Sequence, residues 1–408
     1  MSETYTKPIP DVFALVMMVK NERDHILKSL NSVEKFINTI ILFDTGSEDD
    51  TLGQAREWCE TRGKKLYSKT GTFTNFQDSR NECLAFADSL DIPEIYYLLL
   101  DASDEIQGNY LDLFNITYHQ KDDYALCFQK WMFSNGHTPV YFTYWNIRVV
   151  RARSGWRFKG VVHEFIHNPT KTADQIAHSR LTDGFVIFQD RTADGGKTHS
   201  RLERDYVLLK EAVEKEPNDP RTLFYFARTC ESLNKADEAI THYQLRASLE
   251  DGFGEEIFWA HYGMGKLWFA KNQVLRGIEQ MLLAVNRCER PEPLIFLAEY
   301  FQSKGQLYLA YLFTKQACQI PFNDKFVLFV DRTMYEYTRW HILGIVSYYC
   351  GKYKDGFLGC TEALKHNPES EIDKNNQKFY LEKAVKEPEK NGRTKVTFTN
   401  EIYLKNHP

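Results

Sequence analysis

Acidic side chains follow directly on a strongly apolar segment, where a fixed carboxylate is well placed to hold a divalent cation. Asp101 comes immediately after the run IYYLLL, and Asp104 and Glu105 lie just beyond it. A cation held by such carboxylates can neutralise negative charge that develops on a bound group. The alternative interpretation of this cluster is a solvated acidic turn.

Three further segments place polar side chains after apolar runs or at the start of a predicted helix. Asp44 ends the run TIILFD, and the following Thr-Gly-Ser also suits an Asx turn. Asn21 and Glu22 follow the run VFALVMMV, where they also form an N-cap signature. Arg80 offers a rigid fork of donors for phosphate or carboxylate, the alternative being an ordinary arginine on a helix surface.

The segment His163-Glu164-Phe165-Ile166-His167 matches His-Glu-x-x-His, a signature of zinc proteases. That chemistry requires a helix, which places both histidines on one side of a metal ion. The preceding residues FKGVV are typical of a strand, and Asn168-Pro169 would end a helix soon afterwards. The pattern therefore predicts a strand and argues against a metalloprotease.

Alternating apolar runs and helical patterns in the first half predict that the candidate residues share one edge of a sheet. Strands are predicted at 12–19, 39–44, 65–68 and 95–100, with a helix after each of the first three. This order is typical of a parallel sheet covered by helices on both faces, in which ligands bind at the carboxyl ends of the strands. A more irregular, aromatic-rich stretch is expected from Tyr124 to about Gln189, with its aromatic side chains mainly in core packing.

The second half is predicted to be helical, and it repeats a pattern of small residues. Two columns of small residues recur, namely Ala227, Gly265, Ala298 and Gly344, and then Ala239, Gly277, Ala310 and Gly356. A turn column between them holds Asn234, Asn272, Gly305 and Gly351, and a fourth column holds Arg246, Ala284, Ala317 and Ala363. This is the tetratricopeptide pattern, in which small residues let two helices pack closely, and a generic α-solenoid is the alternative. A helix from Lys374 to about Lys386 is expected to cap the array.

The overall composition excludes several classes of protein. The 408 residues are 43% hydrophobic and 26% charged, which excludes a disordered or collagen-like chain. A formal net charge of −5 argues against wholesale binding of nucleic acid. The eight cysteines include no Cys-x-x-Cys pair and are expected to be reduced thiols. No secretory leader and no transmembrane segment is expected.

The motifs of the first half resemble, in the same order, those of inverting family 2 glycosyltransferases of the GT-A fold. The matching segments are MMVKNERDHILKSLNSV, ILFDTGSEDDT, NFQDSRNECLAFA, LLLDASDEI and GWRFKGVVHEFI. The resemblance implies an α/β GT-A catalytic domain, Rossmann-like with a mostly parallel sheet. A carboxyl-terminal tetratricopeptide array is also found in this superfamily, for instance in bacterial peptide S-glycosyltransferases.

The resemblance implies a donor role for residues of the first four motifs. Asp44 would contact the nucleotide base, Asn21 and Glu22 would flank the ribose, and Arg80 would lie beside the diphosphate. Asp101 would bind both the donor and a metal ion, Mn²⁺ or Mg²⁺.

The metal motif departs from the family pattern, which usually reads Asp-x-Asp. The second position here is Ser103, so that the second ligand is Asp104 or Glu105, or metal use is weakened. The resemblance also implies His199, in the segment 190–205, as a third metal ligand.

The remaining residues that the resemblance implies lie on the acceptor side and in a loop over the donor. Glu164 would be the general base, since an inverting transfer needs a group that takes the acceptor proton. His163 would contact the diphosphate or the metal. Lys197 and Arg201 would hold phosphate.

Together these observations predict a GT-A domain at 1–204, an all-α tetratricopeptide-like domain at 205–390 and a tail at 391–408. The predicted function is a metal-dependent, inverting transfer of a sugar from a nucleotide-diphosphate donor, a UDP-sugar, in the cytoplasm. The predicted acceptor is a glycan or a peptide or protein that the repeats recruit. The alternative is a tetratricopeptide interaction scaffold whose first domain binds a nucleotide sugar without turnover.

Overall fold

The computed structural model describes residues 12–113, 122–134, 139–192 and 197–386, and its contacts divide the chain between Thr229 and Cys230. The predicted tail at 391–408 lies outside these ranges, and the predicted domain limits stay a prediction. Within the described ranges, no helix is long and apolar enough to cross a membrane.

The first unit is built on a sheet whose first four strands alternate with helices, as the sequence predicts. The strands are β1 (Phe13–Val19), β2 (Thr39–Asp44), β3 (Lys65–Thr70) and β4 (Tyr96–Leu99), and the helices are α1 (Ile26–Val33), α2 (Thr51–Thr61) and α3 (Phe76–Asp88). β1 pairs in parallel with β2 and β4, and β2 pairs in parallel with β3. The carboxyl ends of these strands therefore share one edge of the sheet.

Strand β1 is buried on both faces because helices cover the sheet on each side. Leu15 lies in the same core cluster as Leu30 of α1. Its neighbour Val16 lies in the opposite cluster, together with Leu84 of α3. The continuous apolar run in the sequence is explained by this two-sided packing.

The aromatic-rich stretch is regular, contrary to the expectation from the sequence. It contains β6 (Tyr124–Ser134), β7 (Pro139–Arg151), β10 (His178–Arg180) and β11 (Phe185–Asp190), while β5 (Asp104–Gly108) precedes it and β8 (Arg157–Lys159) and β9 (Phe165–His167) form a separate two-stranded sheet. The main sheet runs β3-β2-β1-β4-β7-β6-β11-β5, with β7 antiparallel to both β4 and β6. Aromatic residues lie on both faces of β6 and β7, so the alternation that marks a half-buried strand is absent from the sequence.

The remainder of the described chain is helical, and its helices succeed one another in pairs. They are α4 (Lys197–Lys215), α5 (Pro220–Ser232), α6 (Ala236–Ser248), α7 (Gly254–Ala270), α8 (Val274–Arg287), α9 (Glu292–Ser303), α10 (Leu307–Gln319), α11 (Arg339–Tyr349), α12 (Tyr353–His366) and α13 (Glu371–Lys386). From α5 onward these elements confirm the predicted tetratricopeptide-like solenoid and its capping helix.

The predicted turn column has one backbone conformation in all four repeats. Asn234, Asn272, Gly305 and Gly351 have φ angles of 59°, 58°, 70° and 67°. Glycine and asparagine tolerate this left-handed conformation, which ends a helix and satisfies its last carbonyl groups. The residue types of the column are therefore set by the turn between paired helices.

The small-residue columns mark close contacts between helices. A Cβ atom on Gly344 of α11 would lie 2.8 Å from the Sγ atom of Cys360, and one on Gly359 of α12 would lie 2.6 Å from the backbone nitrogen of Gly344. The fourth column has one member that is not small, Arg246, and its side chain is fully buried. Its Nε donates to Glu256 at 3.0 Å, which pairs the buried charge.

The eight cysteines of the chain are all free, and Cys59, Cys83, Cys127, Cys230 and Cys360 are buried. Burial raises the pKa of the Cys127 thiol to about 12 and that of the Cys360 thiol to about 12. These thiols are therefore protonated at neutral pH.

We predict that Gly359→Ala destabilises the helical repeats, because the added methyl group meets backbone atoms of α11 that cannot rotate away. Overpacking of this kind costs about 1–3 kcal/mol. Thermal unfolding followed by circular dichroism measures the change. Gly254→Ala is the matched control, because a Cβ there meets only the end of the Arg287 side chain at 3.7 Å. Equal melting temperatures for the two variants would contradict this account of the close contact between α11 and α12.

Candidate active site

The loops after β1 and β2 are held together at the carboxyl edge of the sheet. The Asn21 N–H donates to Ser47 Oγ at 2.9 Å, and Asn21 Oδ1 accepts from the Glu48 N–H at 2.8 Å. The residue at the N-cap of α1 is His25, so the N-cap interpretation of Asn21 and Glu22 is wrong. Asn21 instead fixes the two loops, and its predicted role at a ribose, like that of Glu22, stays a prediction.

Asp44 ends β2 and is almost fully buried, with 3% of its surface exposed. Its Oδ1 atom accepts from the Gly46 N–H at 3.2 Å, the Ser47 N–H at 2.9 Å and the Ser47 hydroxyl at 2.8 Å. The Asx turn weighed from the sequence is therefore present. Among the described residues no donor contacts Oδ2, so this oxygen is available to a ligand.

Arg80 connects two motifs that are far apart in the sequence. Its Nε donates to Glu164 Oε1 at 2.6 Å, and its Nη2 donates to Asp101 Oδ1 at 2.6 Å. The side chain of Arg80 is 14% exposed, that of Glu164 15% and that of Asp101 32%. The structure thus brings the predicted donor residue Asp101 and the predicted general base Glu164 onto one guanidinium group.

A second arginine, Arg148 of β7, contacts the acidic motif from the sheet. Its Nη2 lies 3.4 Å from Asp101 Oδ2, and its Nη1 lies 3.7 Å from Asp104 Oδ2. The same Asp104 oxygen accepts from the Asp101 N–H at 2.9 Å. Asp104 is 1% exposed, so this carboxylate supports the turn from inside the protein.

The two carboxylates of the motif have opposite pKa shifts. Burial alone would raise the pKa of Asp101, but the charges of Arg80 and Arg148 outweigh burial and lower it. Burial raises the pKa of Asp104, and the charge of Asp101 adds to that effect, with Arg148 only partly opposing it. Asp101 is therefore the fixed anion of the pair.

Ser103, which occupies the second position of the acidic motif, is bonded to a side chain of β11. The Gln189 amide nitrogen donates to Ser103 Oγ. The oxygen of the same amide accepts from Arg191 Nε at 2.6 Å. A short chain of hydrogen bonds therefore connects this position to a guanidinium group.

His163 lies beside the site in a left-handed conformation, with φ of 50°. Its ring stacks on Tyr225 with centroids 4.2 Å apart, and its carbonyl accepts from Arg221 Nη2 at 2.9 Å. The chain enters β9 only at Phe165, so His163 and Glu164 precede the strand, and the predicted strand is formed only in part. The helix that a zinc protease requires is not formed here. The predicted contact of His163 with diphosphate or metal stays a prediction.

The segment after β11 is only partly described. The side chains of Lys197 and His199 lie outside the described part of the structure, so their predicted roles at phosphate and metal stay predictions. Arg201 is exposed on the first turn of α4. Burial lowers the pKa of Arg191, and the charge of Arg201 adds to this effect, so the two guanidinium groups are in electrostatic range.

The described acidic residues do not, as arranged, fit a divalent cation. The family to which the motifs point is commonly metal-dependent, and the sequence predicts Asp101, Asp104 and His199 as ligands. Both Asp101 oxygens contact guanidinium groups, and the Asp104 carboxylate faces Arg148 and a backbone N–H. Across the described ranges, no group of three or more histidine, cysteine, aspartate or glutamate side chains is placed to hold a metal ion.

Sequence reasoning missed Arg148, Gln189 and Arg191. Arg148 lies among aromatic and apolar residues of β7, and a charged residue within a stretch expected to be mainly in core packing was the available signal. Gln189 and Arg191 carry no motif of their own. Their part in the site depends on β11 lying next to β5, which places Gln189 opposite Asp104.

Comparisons with known proteins agree with this geometry. The sequence profile described as "Glycosyl transferase family 2" matches residues 14–181. Two curated relatives are the SPbeta prophage-derived glycosyltransferase SunS of Bacillus subtilis (strain 168) and the glycosyltransferase SunS of Bacillus phage SPbeta. Each is 25% identical over 241 residues, which are 58% of this chain and 54% of the relative. The chain thus spans about half the length of the curated relatives it matches.

Solved structures matched by the chain include MamA and YrrB, the latter described as a TPR protein with an unusual peptide-binding site. At 15% identity they cover 43% and 44% of this chain and 94% and 85% of their own. Their TM-scores of 0.33 and 0.34 are too low to support a shared fold. The assignment of the helical repeats therefore depends on the turns and close glycine contacts described above. Residues 14–181, which carry most of the candidate site, are thus the part of the chain that is similar to glycosyl transferase family 2.

Proposed function

We propose that the chain is an inverting glycosyltransferase that moves a hexose from a UDP-sugar to a glycan or a peptide acceptor. The observation that carries this proposal is the bridge through Arg80, which joins Asp101 at the donor edge to Glu164 of the acceptor-side motif. Donor and base must lie together for a transfer in which the nucleophile attacks as the leaving group departs.

The proposed step uses residues of this chain alone. The acceptor nucleophile forms a bond to the anomeric carbon from the side opposite the diphosphate, while the bond from that carbon to the phosphate oxygen breaks. The electron pair of the broken bond goes to the nucleoside diphosphate. The acceptor proton goes to Glu164 Oε2, which no described donor contacts, while Oε1 stays bonded to Arg80.

The metal dependence predicted from the sequence stays a prediction. A divalent ion would supply positive charge at the leaving diphosphate. The described carboxylates are engaged by arginines, so Mn²⁺ or Mg²⁺ binding at Asp101, Asp104 and His199 requires these contacts to rearrange. Nucleotide binding measured with and without chelator tests this expectation directly.

We further propose that the helical repeats recruit the acceptor, since solenoids present extended binding faces. A photoreactive peptide that serves as acceptor is expected to cross-link to helices between α5 and α13. Cross-links confined to the first unit would contradict this role. We also propose a cytoplasmic location, for which eight free cysteines are the supporting observation.

A scaffold that binds a nucleotide sugar without turnover is the second candidate, which Ser103 in the acidic motif favours. The two functions differ in one measurement. A transferase slowly hydrolyses its donor in the absence of acceptor, whereas a scaffold binds the donor and leaves it intact.

We predict that Asp44→Asn weakens UDP binding and leaves the fold unchanged. Asparagine retains Oδ1 for the Asx turn but replaces Oδ2 with an N–H donor, which repels the imide N–H of uracil. The loss of one charge-assisted hydrogen bond is expected to weaken binding about 10- to 100-fold. Titration calorimetry with UDP measures the change, and an unaltered affinity would assign Asp44 to the turn alone. Asp44→Ala removes both functions and is expected to lower the melting temperature as well.

We predict that Glu164→Gln lowers sugar transfer about 10²- to 10⁴-fold, the usual effect of losing a general base. UDP affinity is expected to change little, because glutamine retains an oxygen for Arg80. Initial rates with a radiolabelled donor measure the effect.

The matched control is Asp88→Asn. Asp88, at the end of α3, is also an arginine-bound carboxylate, with its Oδ2 atom 3.2 Å from Arg157 Nη1. This variant is expected to transfer sugar at nearly the wild-type rate. Near-wild-type transfer by Glu164→Gln would place the base elsewhere, whereas loss of UDP binding would indicate a donor-side role.

A further inference from the structure

The second position of the acidic motif is the uncharged Ser103, which is connected to Arg191 by two successive hydrogen bonds. Ser103 Oγ accepts from the amide of Gln189, which is 8% exposed. Gln189 in turn accepts from Arg191 Nε at 2.6 Å. A buried amide cannot rotate freely without losing both bonds, so it fixes the position of the guanidinium group relative to Ser103.

Arg191 is held by contacts that leave part of its guanidinium group available. Its backbone N–H donates to the Met132 carbonyl at 2.8 Å, immediately after the end of β11. The guanidinium carbon lies 3.7 Å from the centroid of the Trp131 ring. Among the described residues, no carboxylate lies within 4.0 Å of Arg191 and no acceptor contacts its Nη atoms. The group is therefore positioned but not neutralised.

The surroundings of Arg191 are those of the proposed donor site. Burial lowers the pKa of Arg191, and the charges of Asp101 and Asp104 oppose this effect only in part. The guanidinium group is therefore in electrostatic range of both carboxylates. Arg80 and Arg148 already bind the oxygens of Asp101. A dication added to this cluster would meet three guanidinium groups, whereas a diphosphate would meet forks of donors that suit its oxygens.

We propose that Arg191, connected to Ser103 through Gln189, supplies the positive charge that a divalent cation supplies where an acid stands at this position. The chain then binds its nucleoside diphosphate without a metal ion. In the transfer step, the negative charge that develops on the leaving phosphate oxygen is stabilised by the Nη donors of Arg191. This inference rests on the proposed glycosyltransferase function and concerns only the means by which the diphosphate is held.

The test uses the full chain and UDP as probe, with titration calorimetry in EDTA and in Mg²⁺ or Mn²⁺. Wild-type protein is expected to bind UDP equally well under all these conditions. Arg191→Gln is expected to weaken binding in EDTA about 10- to 100-fold, as the loss of a charge-assisted bond does. Arg191→Lys, which keeps the charge but not the fork, is expected to recover part of this loss.

The matched control is Arg180→Gln, because Arg180 also stacks on a tryptophan of the β6–β7 pair, 3.8 Å from the centroid of Trp145, and has no described connection to Ser103. It is expected to bind UDP like the wild type in EDTA. Ser103→Asp is expected to pair with Arg191, so that UDP binding weakens in EDTA and recovers with Mg²⁺. Circular dichroism confirms that each variant is folded.

Three outcomes would overturn the inference. Loss of wild-type UDP binding in EDTA, restored by Mg²⁺, would show that a metal holds the diphosphate while leaving the proposed transferase function intact. Equal binding in EDTA by folded Arg191→Gln and wild type would remove Arg191 from the site. Absence of binding by UDP and other nucleoside diphosphates under every condition would overturn both this inference and the proposed function.

Discussion

The guanidinium group of Arg80 is the interaction on which the candidate site depends. It lies between Asp101 and Glu164, two mostly buried carboxylates that would repel each other without it. Burial alone would lower the pKa of Arg80, but these two negative charges outweigh burial and raise it, so the group stays charged. Because α3 holds Arg80 against the sheet, the carboxyl edge of the sheet and the loop before β9 are fixed relative to each other before any ligand binds. Such preorganisation lets a site stabilise developing charge without rearranging first.

The site balances its carboxylates with arginines, and this balance determines how it would bind the proposed diphosphate. Arg80 and Arg148 form ion pairs with Asp101, Asp104 and Glu164, so these five groups together have no large net charge of either sign. A chain with a formal net charge of −5 also does not attract anions from a distance. Recognition of phosphate in such a site depends on directed hydrogen bonds from planar guanidinium groups, which are specific in geometry.

The sequence predicted those parts of the fold whose residues are constrained locally. β1, β2 and β4 were found because both faces of each of these strands are buried. The repeats were found because each left-handed turn requires glycine or asparagine. Arg148 and Gln189 were missed because their partners lie 47 and 86 residues away, at Asp101 and Ser103. A contact between residues so far apart in the chain leaves no recognisable pattern in the neighbouring sequence. Asp44 is an intermediate case. Its Asx turn was the alternative that the neighbouring residues suggested, whereas the absence of a described donor at Oδ2 became visible only in the folded site.

The reactivity of the buried cysteines can be used to measure local unfolding of the protein. Cys127 lies in β6 of the first unit and Cys360 in α12 of the second, and burial raises the pKa of each thiol to about 12. At neutral pH the reactive thiolate is then about 10⁻⁵ of each group, and reagents cannot reach the sulfur. Alkylation must wait for a segment to unfold, as amide exchange does. The labelling rates of these two natural thiols therefore report the opening free energies of the sheet and of the helical repeats separately, in the unmodified chain.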